Sequence, residues 1–371
     1  MTATDNISPV ARSPSESGRA RLAWILALAY TLLVVYASLQ PFGEWRRPSY
    51  EILHFLSAPW PRYITLDDVL INVAAYIPLG FLLALALSVR LTAPVAVLVA
   101  ALLAAALGLA METAQAFLAT RIASKLDVLT NGAGGLFGAM AAPLLSPTGF
   151  PGRRLAAWRA RVFNSGTATD SGLIIVCLWL ATHLHPTAQL FGMGNLRHTF
   201  ALPARLAHTP QLLLSAEAAI VFFNLLGVGL LVAALVRDSR RTIPIVAGVI
   251  ATGLAVKAAA GVTLFDAPGP LSWLTPGVGL GLATGAVLLY PLTRAPRMVR
   301  LVLALICLAA AVVAINAAPD NPYQTVPPKL VAAGATQLLR FSTIARALSE
   351  LWPFLAAGYL IVAAVTRRHP R

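Results

Sequence analysis

The sequence predicts an all-α fold, a polytopic transmembrane helical bundle of about ten spans with both termini in the cytoplasm. Three observations carry that prediction. Of the 371 residues, 58% are hydrophobic and 11% charged, against about 25% charged in an ordinary soluble chain, and the mean hydropathy is +0.76. Apolar runs near the roughly 20 residues needed to cross a bilayer recur along the whole chain. The positive charges are distributed unevenly about those runs.

The runs fall at 21–39, 69–89, 93–117, 127–145, 172–190, 212–235, 243–264, 271–291, 299–317 and 350–366. Arg19 and Arg21 before the first run resemble the start of a signal peptide, but that run is long and more follow, so it reads as a first span. Residues 1–18 are polar and poor in aromatics, and read as a disordered cytoplasmic tail. With the N-terminus inside, the cytoplasmic segments hold most of the 28 Lys and Arg, among them Arg90, Arg153, Arg154, Arg159, Arg161, Arg237, Arg240, Arg241, Arg294, Arg297 and Arg300. The opposite orientation would reverse this bias. A net charge of +14 thus marks topology anchors lying against anionic lipid, and no nucleic-acid partner.

The chain divides into a four-span domain at 19–145, a basic cytoplasmic linker with Pro, Gly and Ser at 146–171, and a six-span domain at 172–371. No repeat of fixed period is visible, so the usual inverted-repeat transporter has no support. Gly134 with Gly138, and Gly277 with Gly281 and Gly285, form small-xxx-small faces expected to pack within the chain. Trp24, Trp60, Trp273 and Trp352 near span ends read as interfacial anchors. Cys177 and Cys307 sit inside apolar runs and imply neither a disulfide nor a metal framework.

Residues 111–138, METAQAFLATRIASKLDVLTNGAGGLFG, interrupt the apolar pattern with groups that are costly in a bilayer. Glu112 and Gln115 share a helix face at i, i+3. Asp127 and Asn131 do so at i, i+4, as do Asp68 and Asn72 in the second span. Arg121 and Lys125 lie in the connection between the third and fourth spans, and Arg46 and Arg47 in the first external loop, which begins at the turn Gln40, Pro41, Phe42. The orientation puts Asn72, Glu112 and Asn131 in one layer of the outer leaflet, with Arg121 and Lys125 over it. Glu112 is expected to be protonated, paired with a cation such as Arg121, or open to water. The network could simply clamp three helices together. Its density also suits a zwitterionic or anionic headgroup.

Ser38-Leu39-Gln40-Pro41-Phe42, Asp68 with Asn72, Pro78-Leu79-Gly80, Glu112 with Gln115, and then Arg121, Asp127, Asn131, Gly135 and Gly138 follow one another in a pattern that resembles the VanZ-like family of membrane proteins. The resemblance covers roughly residues 30–145. The family is named for a teicoplanin-resistance protein, so the resemblance implies a link to low-level lipoglycopeptide resistance. It supplies no agreed reaction and no catalytic residues.

In the second half, His183 and His185 at i, i+2 point to different helix faces, which argues against a shared metal. The external segment 191–211, with Arg197, His198, Arg205 and His208, reads as a headgroup-facing loop. Glu217 and Lys257, at similar depths on neighbouring spans, are expected to form a structural ion pair. Residues 329–349, with Arg340 and Arg346, suit an interfacial amphipathic helix or an external loop.

The reading that follows is a multi-pass bacterial inner-membrane protein that recognises an outer-leaflet lipid, a lipid-linked envelope precursor or a lipopeptide. The ligand set would be Asp68, Asn72, Glu112, Gln115, Arg121, Asp127 and Asn131, with no cofactor and no metal. An intramembrane hydrolase or transferase using the carboxylates is the first alternative, although the chain has no recognised catalytic motif. A scaffold for other envelope membrane proteins is the second, and a transporter the third.

Overall fold

The computed structural model describes residues 14–39, 45–47, 51–60, 64, 66–118, 121–146, 149–185, 189–200, 209–321 and 336–366. In chain order the helices are α1 (Pro14–Leu39), α2 (His54–Ser57), α3 (Leu66–Leu87), α4 (Ala93–Gln115), α5 (Lys125–Leu145), α6 (Phe150–Val162), α7 (Thr167–Thr182), α8 (Leu196–Thr199), α9 (Pro210–Leu235), α10 (Ser239–Phe265), α11 (Pro276–Leu292), α12 (Arg297–Ala317) and α13 (Thr336–Val365). Among the described residues the β structure amounts to two isolated bridges, Trp45 with Leu118 and Phe163 with Val236. Among the described residues eight helices, α1, α3, α4, α5, α9, α10, α12 and α13, are long and apolar enough to cross a membrane. Each of the ten expected runs contains a helix, but the run at 172–190 is helical only to Thr182 and that at 271–291 only from Pro276, and α7 and α11 are only 16 and 17 residues long. At 1.5 Å per residue they reach about 25 Å, short of a core about 30 Å thick.

The chain forms two compact units, residues 1–64 with 72–153, and residues 65–71 with 154–371. The segment expected to be a linker therefore contains the boundary but is itself mostly helical, as α6 and the start of α7. Its far end is tied down inside the second unit. Asn164 donates from its backbone N–H and from Nδ2 to the Leu235 carbonyl, at 3.0 and 2.9 Å. The last carbonyls of α9 need such donors because no intrahelical N–H reaches them. Arg297 and Arg300, read from sequence as anchors, also cap this end, through Nε to Ala234 O at 3.1 Å and Nη1 to Ala233 O at 2.5 Å.

The expected disordered tail lies outside the described residues through position 13, and residues 14–18 already open α1. The expected amphipathic helix lies outside them up to 335. From Thr336 it is continuous with the last span as one 30-residue helix, since nothing between Thr336 and Leu351 breaks it.

In the first unit α3 and α5 approach backbone to backbone. A Cβ added to Gly80 would stand 1.9 Å from the Gly135 carbonyl oxygen, and one on Gly138 1.9 Å from that of Ile77. α4 meets α5 through small residues as well: Ala104 Cβ lies 2.4 Å from where a Gly135 Cβ would be. In the second unit α9 is the central helix, with 78% of its span buried. Gly277 and Gly281 of α11 seat on its Leu214 and Ala218 carbonyls, and Gly285 on Leu225. Both glycine faces pack within the chain.

Two of the four tryptophans are not anchors. Trp273 is buried, and Trp352 is wholly buried with its indole N–H donating to the Ile175 carbonyl at 2.8 Å. They fill the core of the second unit, while Trp24 and Trp60 are exposed.

Gly138→Leu should destabilise the purified protein by at least about 2 kcal/mol in detergent unfolding, because the contacted atom is backbone and cannot move aside. Gly358→Ala, with open space around the added methyl, should be neutral. A Gly138→Leu protein as stable as its parent would mean that α3 and α5 do not touch there.

Candidate functional site

The chain path alone brings three helix ends together. Asn72 lies in the second turn of α3, Glu112 in the last turn of α4, and Asp127 in the first turn of α5. α4 runs back against α5, so these positions share one end of the first unit. There Asn72 Nδ2 donates to Asp127 Oδ1 at 3.0 Å, joining α3 to α5. Gln115 Nε2 donates to the Ser38 carbonyl at 2.8 Å, joining α4 to α1. A third tie lies deeper, from the Tyr30 hydroxyl to the Ala75 carbonyl at 2.9 Å.

Glu112 is 2% exposed and Gln115 1% exposed. The Glu112 carboxylate accepts the Ser124 backbone N–H at Oε2, at 2.9 Å. Ser124 is also the N-cap of α5, its hydroxyl accepting from Leu126 N at 3.2 Å. Cap and carboxylate thus satisfy N–H groups that the start of a helix leaves open. Asn131 stands on Gly108, its Cβ 3.0 Å from where a Gly108 Cβ would be. Only a glycine on α4 admits that side chain.

Two acceptors in this layer remain unmet. Gln115 Oε1 and Asn131 Oδ1 are buried without a hydrogen-bond partner, and an unmet buried polar atom costs about 1–3 kcal/mol.

The cations sit in the turn above. The connection from α4 is held by Arg46 N to Phe117 O at 2.8 Å and Arg121 N to Leu118 O at 3.0 Å. Arg121 is half-buried there. Lys125 Nζ donates to the Ala58 carbonyl at 2.5 Å and lies 4.5 Å from the centre of the Trp60 ring. Asp68, one turn before Asn72 on α3, is half-buried and falls in the 65–71 stretch grouped with the second unit. The turn at 40–42 lies outside the described residues.

Sequence reasoning missed Ser124, the Ser38 carbonyl and Tyr30. Ser124 had a legible signal, a Ser three residues before the acidic Asp127, as in a capping box. The Ser38 carbonyl had none, because every residue carries one.

In the second unit the pair expected between Glu217 and Lys257 is replaced by other partners. Glu217 accepts from the Thr275 hydroxyl at 2.5 Å and from Asn321 Nδ2 at 3.3 Å, while Lys257 Nζ donates to the His185 carbonyl at 2.9 Å. Position along a span does not record rotation about the helix axis, which sets the neighbours of each side chain. Arg197 pairs with Asp320. Arg205, His208 and Lys329 lie outside the described residues. Among the described residues no three His, Cys, Asp or Glu are grouped to hold a metal.

Residues 17–146 match the VanZ/LLP1 family model. This part of the chain is a VanZ-like domain; the match begins earlier than the resemblance at 30 and takes in the first span. No curated protein and no solved structure matches the chain.

A double-mutant cycle of Asn72→Ala with Asp127→Ala should give a coupling of about 0.6–1.7 kcal/mol in unfolding free energy, the range of interhelical hydrogen bonds in membranes. Additive effects would mean that the α3–α5 tie contributes nothing.

Proposed function

We propose that the VanZ-like domain recognises the headgroup of an outer-leaflet amphiphile in a bacterial inner membrane: a lipid, a lipid-linked envelope precursor or a lipopeptide. The observation that carries this reading is the pair of buried, unmet amide oxygens, Gln115 Oε1 and Asn131 Oδ1, in a layer that also holds Glu112 and Asp127 and lies beneath Arg121 and Lys125. A clamp would be built to completion, because unmet acceptors weaken it. A binding site keeps acceptors for a donor that arrives with the ligand. In this proposal the amide oxygens and the Glu112 and Asp127 carboxylates take the ammonium or hydroxyl donors of a headgroup. Arg121, with the N–H groups of Lys125 not spent on Ala58, takes its anionic oxygens. Asn72 keeps Asp127 in place. Any change in teicoplanin susceptibility would follow from altered handling of such a ligand.

A purely structural clamp is the competing reading, favoured by the helix-to-helix bonds from Asn72 and Gln115. Mass spectrometry of lipids copurifying with the wild type and with folded Glu112→Gln and Arg121→Ala variants separates the two. Enrichment of one lipid or lipid-linked species in the wild type, reduced about tenfold or more in both variants, is expected from the loss of a charge-assisted contact. The same bulk-lipid profile in all three would leave the clamp as the role of these residues.

A further inference from the structure

The segment that follows the first span and the turn from α4 to α5 form a cap on one end of the first unit. Trp45 pairs with Leu118 as an isolated bridge, and Arg46 N donates to the Phe117 carbonyl at 2.8 Å. Further along, Lys125 Nζ donates to the Ala58 carbonyl at 2.5 Å. Between these ties Phe55 of α2 is buried against Ala116 and Ala123, with Leu109 and Val128 packed on the same cluster. One aromatic side chain thus plugs the cap into the unit.

The surface it turns outward is apolar. Ile52, Leu53 and Leu56 are exposed, as are Trp45 and Trp60, and Ile122, beside Ala123 in the turn, is 88% exposed. None of them belongs to a helix long and apolar enough to cross a membrane. On such a helix an exposed leucine simply faces lipid. A loop bathed in water does not gather large apolar side chains on its surface unless something covers them.

The neighbouring charges point to what covers them. Arg46 and Arg47 are exposed, and Arg121 and Lys125 are half-buried in the turn, while Glu51 is the only acid from Trp45 to Trp60. Aliphatic side chains, tryptophans and an excess of basic groups suit the boundary between acyl chains and headgroups. Anionic phosphates complement that excess. The bilayer is also already at hand, because α1 ends at Leu39, α4 ends at Gln115 and α5 begins at Lys125. A protein partner would have to displace lipid from the same level.

We propose that this cap is immersed in the membrane leaflet at its end of the first unit. Ile52, Leu53, Leu56 and Ile122 lie among the acyl chains, and the basic side chains lie at the level of the phosphates. The partner is the lipid surface itself. Immersion does not depend on the headgroup site proposed above.

The test places single cysteines, labelled with the fluorophore NBD, in the full-length protein carrying Cys177→Ser and Cys307→Ala, reconstituted into nanodiscs of phosphatidylethanolamine and phosphatidylglycerol. Leu56→Cys and Ile122→Cys report on the cap. Leu102→Cys, on the exposed face of α4, marks lipid, and Ser165→Cys, exposed in the polar stretch before α7, marks water. Labels at 56 and 122 are expected to be quenched by lipids carrying a nitroxide on the acyl chain, as at 102, and to lose most of the iodide quenching found at 165. Each position reports separately, so one folded variant suffices. Iodide quenching equal to that at 165 would put the cap in water, and shielding from both quenchers would put it against protein, a second copy or another chain. Either result in a folded variant would overturn the proposal.

Discussion

Apolar helices in hydrocarbon gain nothing by expelling water from between them, so they hold together where their backbones come close enough for dense van der Waals contact. In the first unit this happens along Gly80, Gly134, Gly135 and Gly138, where any side chain would meet a backbone or Cβ atom of a neighbouring helix. The polar layer depends on that approach. Asn72 reaches Asp127 across 3.0 Å because α3 and α5 are already in backbone contact below them. The second unit repeats the device with Gly277, Gly281 and Gly285 on α9, and there too a buried carboxylate, Glu217, sits at the level of the first glycine.

The polar groups obey a second constraint, that hydrocarbon supplies no hydrogen bonds of its own. Most are therefore spent on backbone: Gln115 on the Ser38 carbonyl, Glu112 on the Ser124 amide, Lys257 on the His185 carbonyl, and Arg297 and Arg300 on the end of α9. The motif residues of the VanZ-like domain thus have physical roles before any ligand is considered. Leu79 is wholly buried beside Gly80, Ser38 and Gln115 join α1 to α4, and Glu112 organises the turn into α5. These roles leave over two amide oxygens in the first unit, and in the second the Asn224 amide oxygen, the indole N–H groups of Trp179 and Trp273 and the His183 imidazole nitrogen, among others.

Much of the architecture was legible because one-dimensional chemistry governs it. A run of apolar residues must be helical in a bilayer whatever its neighbours, so each expected run contains a helix, eight of them long and apolar enough to cross a membrane among the described residues. The i, i+3 and i, i+4 spacing of Glu112 with Gln115 and of Asp127 with Asn131 could be read for the same reason, since both members of each pair lie on one helix. The glycine faces were legible as faces, with small residues at a four-residue period.

Tertiary structure decided whatever depends on rotation, pairing or a partner's backbone. Glu217 and Lys257 hydrogen-bond to different neighbours, because hydropathy records position along a helix axis and not the angle around it. Trp273 and Trp352 sit near span ends, as anchors do, yet are buried, because burial is a property of which helix lies opposite. The Ser38 carbonyl, the Ala58 carbonyl under Lys125 and the ties from Asn164 to α9 involve main-chain atoms that no residue type announces. The sequence alone determined the class, the helices and the residues too polar to be accidental. The folded chain determined which of those residues meet, since contacts between helices are set by packing in three dimensions and not by spacing along one.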